Sequence, residues 1–193
     1  MKILKTSIDA VDEKIIGEAI DVLSNGGVIL YPTDTVYGLG ANIFDNAAVK
    51  RVFDIKQRSY LKPLSILVSD IRSIGLVAKV SNEQKKLINN YLPGPYTFIL
   101  KKESIVPRTV TSGSAFVGVR VPNNDISRRL ASLFPITTTS ANISDDEVLS
   151  NPSEILEQLD CEVDLVIDVG ELKSSHASMI IDLSQTNPRI IRR

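Results

Sequence analysis

The order in which helix-like and strand-like segments follow one another limits this chain more than any single motif does. Val11, Ile15, Ile16, Ala19, Ile20 and Leu23 recur at helical spacing behind Asp9, with Asp12 three residues on, which predicts a capped first helix. Asn25-Gly26-Gly27 stops that helix, and Val28–Tyr31 reads as a buried strand. Asp45 caps a second helix, with Ala48, Val49, Val52 and Phe53 inward, that runs out near Lys56. Leu64–Val68 is a strand, and Ser81 with Gln84 opens a third helix ending near Tyr91. Thr97–Leu100 and Phe116–Val121 are strands separated by a polar loop carrying Pro107 and Gly113. A helix from Asp125 to Phe134, with Ile126, Leu130, Leu133 and Phe134 as its apolar face, leads into a strand at Ile136–Thr139. Ser150 or Asn151 caps a short helix to Leu159, and then three strand-like runs come in succession: Leu165–Val169, Met179–Leu183 and Arg189–Arg192. This imperfect alternation argues against a purely parallel sheet. It predicts an α/β fold, a twisted mixed β-sheet flanked by helices, in a single domain over residues 1–193.

The inventory of reactive side chains removes whole classes of chemistry. One Cys (Cys161) and one His (His176) exclude an internal disulfide framework, zinc ribbons and two-histidine metalloprotease motifs. Cys161 lies among acids with no cationic neighbour in sequence to activate it, which suits an incidental thiol. No G-x-S-x-G accompanies His176. Gly38-Leu-Gly40 begins like a dinucleotide fingerprint but meets Ile43, and no phosphate-binding P-loop occurs. With no signal-type apolar run at the N-terminus and no stretch near ~20 apolar residues, the expectation is a soluble, cytoplasmic protein with no membrane partner.

A net charge of −1, from 22 Lys+Arg against 23 Asp+Glu, conceals segregation. Between Lys50 and Lys62 stand five bases and one acid; between Ser144 and Glu171 stand ten acids and no base; Arg189, Arg192 and Arg193 close the chain. Either these basic segments converge on one positive face, or the charge is scattered and solvated.

Four segments carry more chemistry than a bland core needs. Tyr31–Gly40 places the hydroxyls of Thr33 and Thr35 on alternate positions at a strand end, which fits a ligand site or a capping turn. Lys56, Arg58 and Lys62 fit helix-dipole compensation or a polyphosphate clamp, with Arg58 bidentate and the lysines as point charges. Thr137–Asn142 ends a strand in small polar residues able to meet a nucleotide. Gly118–Pro122 puts a lone Arg120 in an apolar strand, where it needs an anionic partner such as a ligand carboxylate.

Taken together these segments resemble the YrdC-like threonylcarbamoyl-AMP synthase family. YPTDTVYGLG from Tyr31, KxR from Lys56, the Pro93–Thr97 stretch, GVRVP from Gly118, TSAN from Thr139, Ser178–Asp182 and Pro188–Arg192 recur in the family's order. The resemblance implies a fold of the YrdC/RibB-like kind around a concave basic cavity. It implies joining L-threonine, bicarbonate and ATP into threonylcarbamoyl-AMP and pyrophosphate, for tRNA threonylcarbamoyladenosine modification with a tRNA threonylcarbamoyl transferase complex as partner. By matching position, Lys56, Arg58, Ser140 and Asn142 would form the nucleotide-binding tetrad, with Lys56 and Arg58 catalytic and Lys62 and Arg192 adding to the ATP site. Thr35, Arg120, Thr138 and Ser178 would face threonine, with Thr33 a weaker addition. No acidic cluster marks a protein metal site, so Mg²⁺ is expected on the ATP phosphates. Three positions depart from the family pattern: Ser59 in place of proline, Met179 in place of threonine, and Asp145 in place of a glycine free to adopt φ > 0. The chain is similar to the short form of the family. The alternative within the same superfamily is a non-catalytic module binding double-stranded RNA or tRNA through phosphate contacts. A sugar-phosphate enzyme such as dihydroxybutanone phosphate synthase would want an acidic metal site, which the sequence does not offer.

Overall fold

In a computed structural model that describes residues 1–173, 176–185 and 187–192, the strands form two mixed sheets rather than one. Arg193, the last of the terminal bases, lies outside the described residues. The smaller sheet runs β1 (Lys2–Lys5), β9 (Leu165–Asp168), β2 (Ile29–Tyr31), β3 (Gly38–Gly40), parallel except for the final antiparallel pair. The larger runs β11 (Arg189–Arg192), β10 (Met179–Asp182), β6 (Tyr96–Lys102), β7 (Phe116–Arg120), β4 (Ser65–Leu67), β8 (Ile136–Thr138), with β5 (Ala78–Lys79) added against β6. Isolated antiparallel bridges, Gly38 to Ser140 and Asn42 to Ile136, join the two sheets along the seam between β3 and β8. Two of the quoted motifs therefore meet at that seam.

Seven helices flank the sheets: α1 (Glu13–Ser24), α2 (Asn46–Ile55), α3 (Ile74–Val77), α4 (Asn82–Asn89), α5 (Arg108–Thr111), α6 (Asp125–Leu130) and α7 (Pro152–Leu159), counted among the described residues. Ile16, Ala19 and Leu23 of α1 and Ile126 and Leu130 of α6 bury against Ile29, Leu67 and Leu165. Phe53, Leu30, Leu39, Ile66, Phe98 and Val119 anchor the second core. Fully burying each such side chain contributes about 1.5–3 kcal/mol, so the loops between strands rest on a firm base.

Capping corrects several boundaries. The cap of α1 is Asp12, which accepts from the Lys14 N–H at 2.9 Å; the N–H of Asp9 is instead turned toward Ser7 Oγ. Asn151, not Ser150, caps α7. The Ser81–Gln84 capping box forms as expected. Helix α6 stops at Leu130, with Ala131 as its C-cap, short of Phe134, where the following Pro135 disfavours helical geometry. Leu133 is left 71% exposed rather than on the apolar face. The loop between β6 and β7 contains the helical turn α5, held inward by the buried Val110, whose carbonyl accepts from the Leu64 N–H at 2.9 Å. No helix among the described residues is long and apolar enough to cross a membrane.

Candidate functional site

The register of the larger sheet builds the floor of the site. Ser65 pairs with Thr138 on one side and Gly118 on the other. A Cβ at Gly118 would lie 2.5 Å from Ser65 Oγ and 3.2 Å from Thr97 Cγ2, so glycine there is what lets the two hydroxyl residues share the floor. Above it opens a cavity of about 160 Å³ bounded by Arg58, Thr97, Thr138, Ser140, Ser178 and Arg192. Ala177 is common to this cavity and to a second hollow of about 340 Å³ that includes Asp34, Thr35, Tyr96 and His176. A hollow of about 440 Å³ by Ile71, Ile74 and Ile88 is larger than the first cavity but holds none of the motif residues.

Arg58 leaves the end of α2 after Gln57, which turns the chain at φ 49°. Its guanidinium donates to the carbonyls of Lys62 and Pro63, both at 3.0 Å. Arg192 donates to the Ser178 carbonyl at 2.8 and 3.1 Å. Among the described residues neither arginine forms an ion pair with a carboxylate. Burial lowers both pKa values, and the Arg120 and Arg58 charges lower that of Arg192 further. Ser178 and Thr97 share a buried hydroxyl–hydroxyl bond of 2.8 Å.

Lys56 is 1% exposed and faces the segment after β8, not the cavity. Its ammonium donates to the Ser140 carbonyl (2.5 Å), the Asn142 carbonyl (2.7 Å) and Asn142 Oδ1 (3.0 Å). Ser140 Oγ donates to the same Oδ1 at 2.7 Å, and Asn142 Nδ2 donates to the Asp146 carbonyl at 2.8 Å. Three of the expected tetrad thus form one hydrogen-bonded knot, and all three Lys56 donors are spent inside it. Burial lowers the Lys56 pKa to about 7, the Arg58 charge adds to the shift, and the Asp145 carboxylate opposes it.

The strand-end threonines divide. Thr33 is buried, donating to the Val36 carbonyl at 2.7 Å and bonding Thr35 Oγ1 at 3.0 Å, and it borders neither hollow. Thr35 accepts from Arg120 Nη2 at 2.8 Å. The anionic partner Arg120 needs is supplied by the chain itself: Asp34 pairs with it and also accepts from the Asn123 N–H at 2.9 Å. Arg120 Nε remains buried with no hydrogen-bond partner. Lys62 lines neither hollow; its ammonium meets Asp145 at 2.8 Å. The acid-only stretch therefore begins with a carboxylate set among the basic residues.

A model of the family named for Sua5, YciO and YrdC, described as "Telomere recombination", matches residues 21–193. The chain belongs to the Sua5/YciO/YrdC family. It is 43% identical over 159 residues to a putative threonylcarbamoyl-AMP synthase of Methanocaldococcus jannaschii, covering 82% of this chain and 75% of that protein. The crystal structure of Pyrococcus abyssi Sua5 complexed with L-threonine superposes with a TM-score of 0.93 at 34% identity, covering all of this chain and 57% of that one. Escherichia coli YciO, an uncharacterized protein, superposes with a TM-score of 0.89 at 32% identity and is covered over 94% of its chain.

Four residues of this Sua5/YciO/YrdC member that sequence reasoning left out of the site are Ser65, Thr97, Asp34 and Asp145. Thr97 closes a quoted motif and Asp34 sits between Thr33 and Thr35, so both carried a signal. Ser65 carried none, since its place depends on the Ser65–Gly118 register. Asp145 was visible only as a departure from the family glycine. Cys161 is exposed, and burial of its sulfur with the Asp160 charge raises its pKa, the opposite of an activated thiol.

Proposed function

We propose that this chain is a nucleotidyltransferase, a threonylcarbamoyl-AMP synthase that uses L-threonine, bicarbonate and ATP. One observation carries the reading: Arg58 and Arg192, with no carboxylate partner among the described residues, border one cavity floored by hydroxyls. Two partly desolvated guanidiniums of like charge raise each other's cost, and a bound polyanion relieves it. The names of the M. jannaschii and P. abyssi relatives, and the threonine complex of the latter, support the same assignment.

In this scheme bicarbonate takes up a proton and loses water to give CO₂, and the neutral threonine amine adds to its carbon and releases a proton to form a carbamate. A carbamate oxygen attacks the α-phosphorus of ATP, the bond to the β-phosphate bridge breaks, and pyrophosphate leaves with the electron pair. No covalent protein nucleophile is required. Arg58, Lys62 and Arg192 neutralise charge, while Ser140 and Asn142 form the nucleotide-facing segment that Lys56 holds in shape. Thr35, Arg120, Thr138 and Ser178 orient threonine, Arg120 through the bond by which it holds Thr35 Oγ1. Mg²⁺ travels with the ATP phosphates as part of the substrate. The product passes to a tRNA threonylcarbamoyl transferase complex in the cytoplasm.

The test is pyrophosphate release from Mg·ATP by the purified chain, omitting threonine and bicarbonate in turn. The reading expects release only with both. Release that needs neither, or tRNA binding with no turnover, overturns it in favour of an ATPase or of the RNA-binding module.

A further inference from the structure

Asp145 brings negative charge to the one part of the molecule where the proposed function needs positive charge. It sits in the left-handed region at φ 73°, which aspartate tolerates better than most residues. The loop that carries it is tied to the tetrad knot on both sides. The Ser144 N–H donates to the Lys56 carbonyl at 2.8 Å, and the Asp146 carbonyl accepts from Asn142 Nδ2 at 2.8 Å. Its carboxylate takes the Lys62 ammonium at 2.8 Å. Its pKa is lowered by that bond and charge first, then by the Arg58 and Lys56 charges. Lys62 and Asp145 side chains are 51% and 79% exposed, so the pair is open to solvent and exchangeable.

We propose that Asp145 is a specificity-determining residue that occupies Lys62 when no nucleotide is bound and discriminates against polyphosphate lacking its divalent cation. A metal-free triphosphate must take Lys62 from the carboxylate and then remain beside it as a like charge. A magnesium-complexed triphosphate arrives with part of its charge neutralised, so the same carboxylate repels it less. Asp145 thereby favours Mg·ATP through a penalty on the wrong species. A carboxylate that can retake Lys62 also helps pyrophosphate to leave. This inference rests on the ATP-binding reading above.

The experiment is equilibrium binding of ATP by titration calorimetry to the wild type and to Asp145→Asn, in EDTA and in excess Mg²⁺. Asparagine keeps the shape and tolerates the left-handed backbone, and thermal melting verifies that the variant is folded. Metal-free ATP should bind Asp145→Asn about fivefold more tightly than wild type, the upper end for one exposed ion pair, while Mg·ATP changes by less than about twofold. Equal effects on the two species overturn the proposal. Weaker Mg·ATP binding by Asp145→Asn also overturns it, because Asp145 would then be a ligand to the nucleotide's metal. Failure of both proteins to bind ATP in either condition would instead defeat the ATP-binding reading itself.

Discussion

Lys56 offers a test in which pH is the perturbation and folding stability the readout. In the unfolded chain its amine keeps the ordinary value of 10.5, whereas burial in the fold lowers it to about 7. Between those values the unfolded state holds more protons than the folded one, so stability rises with pH. The contribution is complete above 10.5 and is lost as pH falls to about 7. The full slope is about 1.4 kcal/mol per pH unit, and integrating over the first one and a half units above the folded value yields roughly 1.6 kcal/mol. For a chain of this size that is a rise of roughly 3–6 °C in melting temperature. Those first one and a half units end below the ordinary values of Cys161 (9.0) and of Tyr31 and Tyr37 (10.0), above which burial, by raising all three in the fold, would make stability fall with rising pH.

The assay is urea or thermal denaturation at several pH values across that window, on the wild type and on Lys56→Met. The wild type should gain stability with rising pH and the variant should show no such slope. A flat wild-type profile, or the same slope in both proteins, would refute the reasoning. It would mean that three carbonyl acceptors, which favour the ammonium, outweigh its burial.

Arg58→Ala should lower synthase activity on the order of 100-fold, as removal of one transition-state donor does, while Arg128→Ala on α6 changes it by less than about twofold; equal losses in a pyrophosphate-release assay would sink the assignment of Arg58. Asp34→Asn should destabilise the fold by about 3–5 kcal/mol, because the Arg120–Asp34 pair is only 6% and 10% exposed at its side chains and its loss strands a buried guanidinium. The same variant should raise the threonine KM, measured by initial rates at saturating ATP. Gly118→Ala should cost about 1–3 kcal/mol in urea titration, since its Cβ must displace Ser65 and Thr97.

Periodicity and capping made most of the framework legible before any coordinates. The runs at Val28–Tyr31, Leu64–Val68 and Phe116–Val121 contain the strands Ile29–Tyr31, Ser65–Leu67 and Phe116–Arg120, largely buried, and the Ser81 capping box forms. What periodicity could not supply was pairing. Strand β3 is Gly-Leu-Gly, with two residues of poor strand propensity, and exists because β2 pairs with it on one side while, on the other, Leu39 N–H donates to the Thr139 carbonyl and Gly38 bridges to Ser140. Strand β1 has four residues with lysine at each end, too short a pattern to read, and is set by parallel pairing with β9. At the site, residue types announced themselves where charge stood in apolar sequence, as at Arg120. Their partners did not, because the links from Asp34 to Arg120, Lys62 to Asp145 and Thr97 to Ser178 all close over more than eighty residues of chain.

Three arginines approach one another in this fold, and among the described residues only Arg120 of the three forms an ion pair. Asp34 neutralises Arg120, whereas Arg58 is held by backbone carbonyls and Arg192 by the Ser178 carbonyl with a longer bond to Ser178 Oγ, neither of them ion-paired among the described residues. Carbonyl dipoles orient a guanidinium but leave its net charge in place. The folded state therefore carries a repulsion that the unfolded chain lacks: burial first, and then the Arg120 and Arg58 charges, lower the pKa of Arg192. Any ligand that supplies negative charge to this cavity removes that repulsion as it binds, and binding to the folded state alone adds stability in proportion to the logarithm of ligand concentration over Kd. Salt screens exposed charges far better than enclosed ones, so raising ionic strength should recover less of this stability than a bound polyphosphate does. The difference between those two responses measures how far the cavity is built for its ligand at the expense of the empty fold.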